Sequence, residues 1–198
     1  MHRLIPRVSG SHLLLAAAAA LLAAAFAPAS ATVLTYRGVI NGANEAPPNA
    51  SPGVGNVEVT IDNVANTMQI AAVFSGLLGT TTACHIHAPT TTALTGTAGV
   101  ATTTPYFAGF PIGVTSGTYN NTLDLTLATS YNPTYVTNNG GTTASAEAAL
   151  LAAIAAGKAY FNVHSTVVPG GEIRTFLQPF DATATSRTTW ARVKALFH

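Results

Sequence analysis

The sequence has little charge and only one cysteine. Its 198 residues include eight Lys and Arg, seven Asp and Glu, and the single Cys84, with a net charge of +1. Without a cluster of basic residues the chain offers no electrostatic footprint for a phosphate backbone, so we expect no nucleic-acid partner. One cysteine excludes an intramolecular disulfide. Stability must therefore come from a hydrophobic core, which a chain of this length can build.

The first 31 residues have the pattern of a secretory signal peptide. Arg3 and Arg7 precede an apolar run over residues 13–27, and the Ala-Ser-Ala sequence at 29–31 is typical of a cleavage site. The apolar run is short for a membrane span, which leaves an uncleaved anchor as the weaker alternative. We predict a signal peptide over residues 1–31, export to the extracellular space or the periplasm, and no membrane span after cleavage.

The rest of the chain predicts short strands separated by turns. Residues 57–62 and 123–127 alternate apolar and polar side chains, the period of a half-buried strand. Residues 160–165 and 173–178 are β-branched or aromatic in part, and the Val-Pro-Gly-Gly turn at 168–171 lies between them. We predict an all-β fold, mainly an antiparallel Greek-key sandwich or barrel of seven to eight strands.

Two segments have helical patterns. Ser145 to Ala156 is rich in Ala and Leu, and Gly157 follows as a natural residue for a helix end, so we predict one short helix there. The C-terminal tail, 181–198, carries apolar side chains at helical spacing. A docked helix and a loose terminus are both open for the tail.

Histidine is scarce after the signal segment, and three of the four that remain lie in strand-like motifs. Residues i and i+2 of a strand point to the same face, so His85 and His87 can reach one metal ion. Tyr160, Asn162 and His164 likewise share one face of a second strand. The sequence therefore predicts two polar strand faces that can combine into one site.

Acidic and basic residues follow the second histidine motif. A hairpin centred near Val168 sets Glu172 opposite His164, and Arg174 shares the face of Glu172. Three imidazoles with a nearby carboxylate suit Cu(II) or Zn(II), with the carboxylate as fourth ligand or as the group that orients a histidine. We predict one copper or zinc ion at His85, His87, His164 and Glu172, with Tyr160, Asn162 and Arg174 as supporting residues.

A purely structural interpretation of these residues stays open. Histidines occur on half-exposed polar faces without a metal, and Glu172 and Arg174 can form surface ion pairs of little energetic value. Cys84 precedes His85 in the strand and points to the opposite face, where we predict a buried thiol and not a ligand.

Four motifs in this order resemble the CHRD domain, which is named for its repeats in chordin. They are Asn-Glu-Ala-Pro-Pro at 44–48, the strand 55–62, Cys-His-Ile-His-Ala-Pro at 84–89, and the segment 157–164 that leads to Pro-Gly-Gly-Glu-Ile-Arg at 169–174. In the family the histidine motif usually continues with Gly-Pro and the last motif with Gly-Gln, where this chain has Ala88, Thr175 and Phe176. The resemblance implies a CHRD domain over residues 32–180.

Two functions fit these expectations. The first is a non-enzymatic secreted CHRD module that binds an extracellular or periplasmic protein and can hold one copper or zinc ion. The second is a mononuclear copper or zinc enzyme that acts on an oxygen species through an open coordination position. The His-x-His strand is similar to that of copper–zinc superoxide dismutase, but four histidines are too few for a dinuclear site of that kind. No catalytic residue is assigned.

Overall fold

Eight strands form one curled antiparallel sheet in the computed structural model, which describes residues 33–180. The strand order is β4-β6-β7-β1-β2-β3-β5, with β8 beside β1. The sheet confirms the predicted all-β class. Of the two predicted forms, sandwich and barrel, the barrel is the better description, because all eight strands belong to a single curled sheet. The strands are β1 (Val33–Asn41), β2 (Val54–Asp62), β3 (Thr67–Ser75), β4 (Thr81–His87), β5 (Gly117–Asp124), β6 (Tyr160–Ser165), β7 (Ile173–Phe176) and β8 (Gln178–Pro179).

The alternating pattern correctly located β2 and only partly located β5. In β2, Val57, Val59 and Ile61 are buried and the residues between them are partly exposed. The predicted strand at 123–127, in contrast, ends at Asp124. Its carboxylate accepts hydrogen bonds from the backbone N–H and the hydroxyl of Thr126, which turns the chain away from the sheet.

Two helices connect β5 to β6. The predicted helix is α2 (Thr143–Ala155), which begins with a capping box between Thr142 and Ser145. A six-residue helix, α1 (Pro133–Asn138), precedes it and was not predicted, because the segment is short and Asn-Pro pairs are also typical of turns. Asn132 caps this helix by accepting from the N–H of Thr134, and proline is well tolerated in a first turn.

The hydrophobic core covers one face of the sheet. Its large, fully buried side chains come from β1, β3, β4, β6 and α2, and include Ile40, Phe74, Ile86, Phe161 and Leu150. Cys84 is completely buried in the same core, which confirms the predicted thiol. Burial raises the pKa of this thiol well above its usual value, so it is inert at neutral pH.

The opposite face of β4, β6 and β7 is also covered, by loops. All six residues of β6 are buried, where a strand with one solvated face would alternate. The segment 99–105 runs along the free edge of β4, where the Cys84 N–H donates to the Pro105 carbonyl at 3.1 Å. From the loops, the carbonyls of Ala98, Pro105 and Pro169 reach the side chains on this face. This second buried layer, on the face away from the core, contains the histidines.

The predictions for residues 1–31 and 181–198 fall outside the described range. Within residues 33–180, no helix has the length and apolar character that a membrane span requires.

Candidate metal centre

Three histidines meet on the loop-covered face of the sheet. His85 and His87 lie on β4, and His164 lies on the neighbouring strand β6. The ring centroid of His85 is 4.6 Å from that of His87 and 4.7 Å from that of His164. The side chains are 6%, 9% and 8% exposed in chain order. The structure thus brings the two histidine motifs, on β4 and β6, together as the sequence predicts.

Backbone carbonyls hold one nitrogen of each ring. The Nδ1 atoms of His85, His87 and His164 lie 3.2, 2.8 and 2.9 Å from the carbonyl oxygens of Pro105, Ala98 and Pro169. A carbonyl oxygen can only accept a hydrogen bond, so each Nδ1 carries the proton of a neutral ring. Each Nε2 is therefore left with its lone pair free. Such a contact also fixes the tautomer and orientation of histidines that bind metals.

The three Nε2 atoms are buried and have no hydrogen-bond partner among residues 33–180. One ligand atom can be chosen from each of the three rings so that all lie within 4.8 Å of one another. Since the Nδ1 atoms are engaged, we assign these ligand atoms as Nε2. Three acceptors facing one another without a donor are unfavourable in a buried space. A cation between them would remove that cost.

Burial keeps these rings neutral. It lowers the pKa of His85 to about 3, with additional repulsion from His87 and His164. Burial likewise lowers the pKa of His87 to about 4 and lowers the pKa of His164. Neutral imidazole is the form that binds a metal, so the cluster is ready to ligate across the physiological pH range.

The lowered pKa values predict that the metal-free protein loses stability in acid. Below pH 6.5 the histidines of the unfolded chain bind protons, whereas the buried rings of the folded protein stay neutral. The free energy of unfolding therefore falls from pH 6.5 towards pH 4. The expected loss at pH 5 is about 2 kcal/mol for each of His85 and His87. Urea unfolding at pH 7.5 and pH 5 measures it. His87→Asn, which does not titrate, should reduce the loss, and equal stability at both pH values would contradict the prediction.

The structure does not bring Glu172 to the histidines, so its predicted place at the metal needs correction. Glu172 Oε1 accepts from the Ser51 hydroxyl and from the Leu78 N–H, both at 2.6 Å. Its Oε2 accepts from the Gly79 N–H at 3.3 Å and from the Ser165 hydroxyl. The regular pairing of β6 with β7 ends at Val163 and Ile173, so Glu172 lies beyond the ladder.

The predicted supporting residues do surround the cluster. The Tyr160 ring stacks on His87 with centroids 4.6 Å apart and planes 6° apart. The guanidinium of Arg174, on the neighbouring strand β7, lies 4.6 Å from the centroid of the Tyr160 ring. Asn162 is buried directly across from His85 in the β4–β6 pairing. These side chains fix the floor of the site through ring stacking and close packing.

Sequence reasoning missed Glu45, which lies beside Arg174. Its Oε2 is 3.6 Å from the Arg174 Nε, and burial raises the pKa of Glu45 to about 7 although Arg174 opposes the shift. Arg174 also donates to the carbonyls of Asn44 and Gly96 at 2.6 and 3.0 Å. The available signal was the Asn-Glu-Ala-Pro-Pro motif at 44–48, which supports the family resemblance but does not show that its carboxylate meets Arg174.

Two cavities differ in their relation to this site. A cavity of about 470 Å³ is lined by Glu45, Gly96, Arg174 and their neighbours, next to the supporting layer. A larger groove of about 800 Å³ lies over β1, β2, β3 and β5, and no histidine lines it. No histidine lines the smaller cavity either, but Arg174 in its wall also lies over Tyr160, which stacks on His87.

Of the comparisons with known proteins, the family model gives a match. No curated protein and no solved structure gives a significant match. The family model described as CHRD domain matches residues 36–177, which include every residue of the histidine cluster and its supporting layer. The chain belongs to the CHRD domain family.

Proposed function

We propose that this protein is a secreted metal-binding module that holds one copper or zinc ion through His85, His87 and His164. The observation that carries the proposal is the set of three buried Nε2 atoms without a hydrogen-bond partner in the described chain. Imidazole nitrogen suits copper and zinc, whereas Ca(II) and Mg(II) prefer oxygen ligands. A hydrogen-bonded network of the three rings is a poorer explanation, since three Nε2 acceptors cannot bond to one another.

Metal stoichiometry tests this proposal. The exported protein, purified without a histidine tag and stripped of metal, is loaded with Cu or Zn at neutral pH and analysed by elemental analysis and native mass spectrometry. We expect one ion per chain. If titration calorimetry detects no uptake of either metal, the proposal is wrong.

An enzyme that acts on an oxygen species is the second candidate. It is favoured by the number of protein ligands, because the cluster offers three donors and leaves a further position for water or substrate. Superoxide or peroxide consumption by the loaded protein above the rate of the same metal in buffer would support it. A rate equal to that background favours the non-enzymatic module.

Secretion is proposed from the first 31 residues and from the family resemblance. We predict that the exported protein begins at Thr32, after the small residues at 29–31. Mass spectrometry of the N-terminal peptide checks this directly, and an exported protein that retains residues 13–27 would contradict it. Binding to an extracellular or periplasmic protein is proposed from the family alone.

A further inference from the structure

The donor set of the candidate site carries no negative charge. Among residues 33–180, the group that can hold a metal consists of His85, His87 and His164 only. The carboxylate of Glu172 is bound by Ser51, Ser165 and two backbone N–H groups, and Cys84 is buried in the core. An ion at the three Nε2 atoms would therefore keep its full charge.

A buried positive charge lies in the layer beside the cluster. Arg174 lies over Tyr160, and Tyr160 stacks on His87, so one ring separates the guanidinium from the cluster. Glu45 compensates for Arg174 only in part, because its Oε2 lies 3.6 Å from the Arg174 Nε, longer than a direct hydrogen bond. Each additional unit of positive charge on the ion is thus resisted by Arg174.

Burial of the site increases its preference for a monovalent ion over a divalent one. The cost of moving an ion from water into a low-dielectric interior rises with the square of its charge, so a divalent ion suffers far more than a monovalent one when no ligand is anionic. Coordination number acts in the same direction. Zn(II) and Cu(II) need a further ligand, such as water, besides the three nitrogens, whereas three-coordinate Cu(I) needs none.

We propose that the cluster of His85, His87 and His164 selects Cu(I) over Cu(II) and Zn(II). This inference rests on the proposed function and specifies its ion. When an electrode supplies one electron to bound Cu(II) and gives bound Cu(I), no proton is taken up, because the Nδ1 protons are held by carbonyls. The site should therefore raise the reduction potential of copper above that of the ion in water.

Competition titrations test the selectivity. Metal-free protein is titrated anaerobically with Cu(I) in the presence of bicinchoninate, and with Zn(II) or Cu(II) against chelators suited to those ions. We expect one Cu(I) per chain, bound at least about 100-fold more tightly than Zn(II), a difference of about 3 kcal/mol. If Zn(II) or Cu(II) binds as tightly as Cu(I), the selectivity is wrong and the metal site stands. If none of the three ions binds, the proposed function itself is wrong.

A charge variant provides a second readout. Arg174→Gln removes the positive charge, and Arg174→Lys is the matched control that retains it. Both alter the contacts with Asn44 and Gly96, so folding is checked by circular dichroism. We expect Arg174→Gln to tighten Zn(II) binding more than Cu(I) binding and to lower the reduction potential, and Arg174→Lys, which keeps the charge, to change the ratio of the two affinities less. Equal effects of the two variants on both ions would contradict the electrostatic argument. The competition titration of the wild-type protein tests the selectivity without any substitution that could affect folding.

Discussion

His164→Ala is expected to abolish stoichiometric metal uptake and to leave the sheet folded. The variant removes one of three ligands and leaves His85 and His87 on β4 as a two-nitrogen site. Loss of an orienting contact alone weakens metal binding by about 10- to 100-fold, and loss of the ligand itself is expected to cost more. The fold survives because His164 lies on the face away from the core, although the carbonyl of Pro169 loses its donor. That loss costs roughly 1 to 3 kcal/mol of unfolding free energy.

Calorimetric titration of the variant with copper measures the effect, and circular dichroism reports the fold. His85→Ala and His87→Ala should behave in the same way, because each removes one Nε2. Gln69→Ala is the matched control, since Gln69 is exposed on β3 and bonds only to Asn120. If His164→Ala binds copper as tightly as the wild type, the three-histidine site does not exist.

Glu172→Ala is expected to lower the free energy of unfolding by about 4 kcal/mol, because hydrogen bonds to a buried charge are strong and their loss leaves donors unpaired. Glu172 is fully buried and joins the loops at Ser51 and Leu78 to the end of β6. Its hydrogen bonds hold the pKa of the carboxyl below its usual value against the opposing effect of burial. The group therefore stays ionised in the folded protein.

Urea unfolding at pH 7.5 compares this variant with Glu58→Ala. Glu58 forms an exposed ion pair with Arg37, so its removal should cost less than about 1 kcal/mol. The folded fraction of Glu172→Ala should still bind one metal ion, because Glu172 is not a ligand. A variant with wild-type stability and no metal uptake would instead restore Glu172 to the metal site.

The convergence of the histidines could be predicted because it depends on local geometry. Alternation along a strand puts His85 and His87 on one face regardless of the rest of the fold. It also separates both from Cys84, which the structure buries in the core. The pairing of β4 with β6 then brings His164 alongside. The sequence alone does not show that these two strands are neighbours in the sheet.

The burial of that face could not be predicted, because distant loops produce it. The carbonyls that orient the rings belong to Ala98, Pro105 and Pro169, and nothing in those residue types marks them as partners. The same holds for Glu45, whose neighbour Arg174 comes from the other end of the chain. Alternation assumes a regular ladder, so it failed at Glu172, where the ladder has already ended.

Anomalous diffraction from crystals of the copper-loaded protein tests the central claim most directly. Data collected above and below the copper edge locate the ion without reference to any assumed ligand. We predict one peak per chain, about 2.0 to 2.1 Å from the Nε2 atoms of His85, His87 and His164, as is usual for imidazole ligands. Glu172 should remain bound to Ser51 and Ser165. A peak elsewhere on the chain, or no peak in crystals of protein shown to contain copper, would contradict the account.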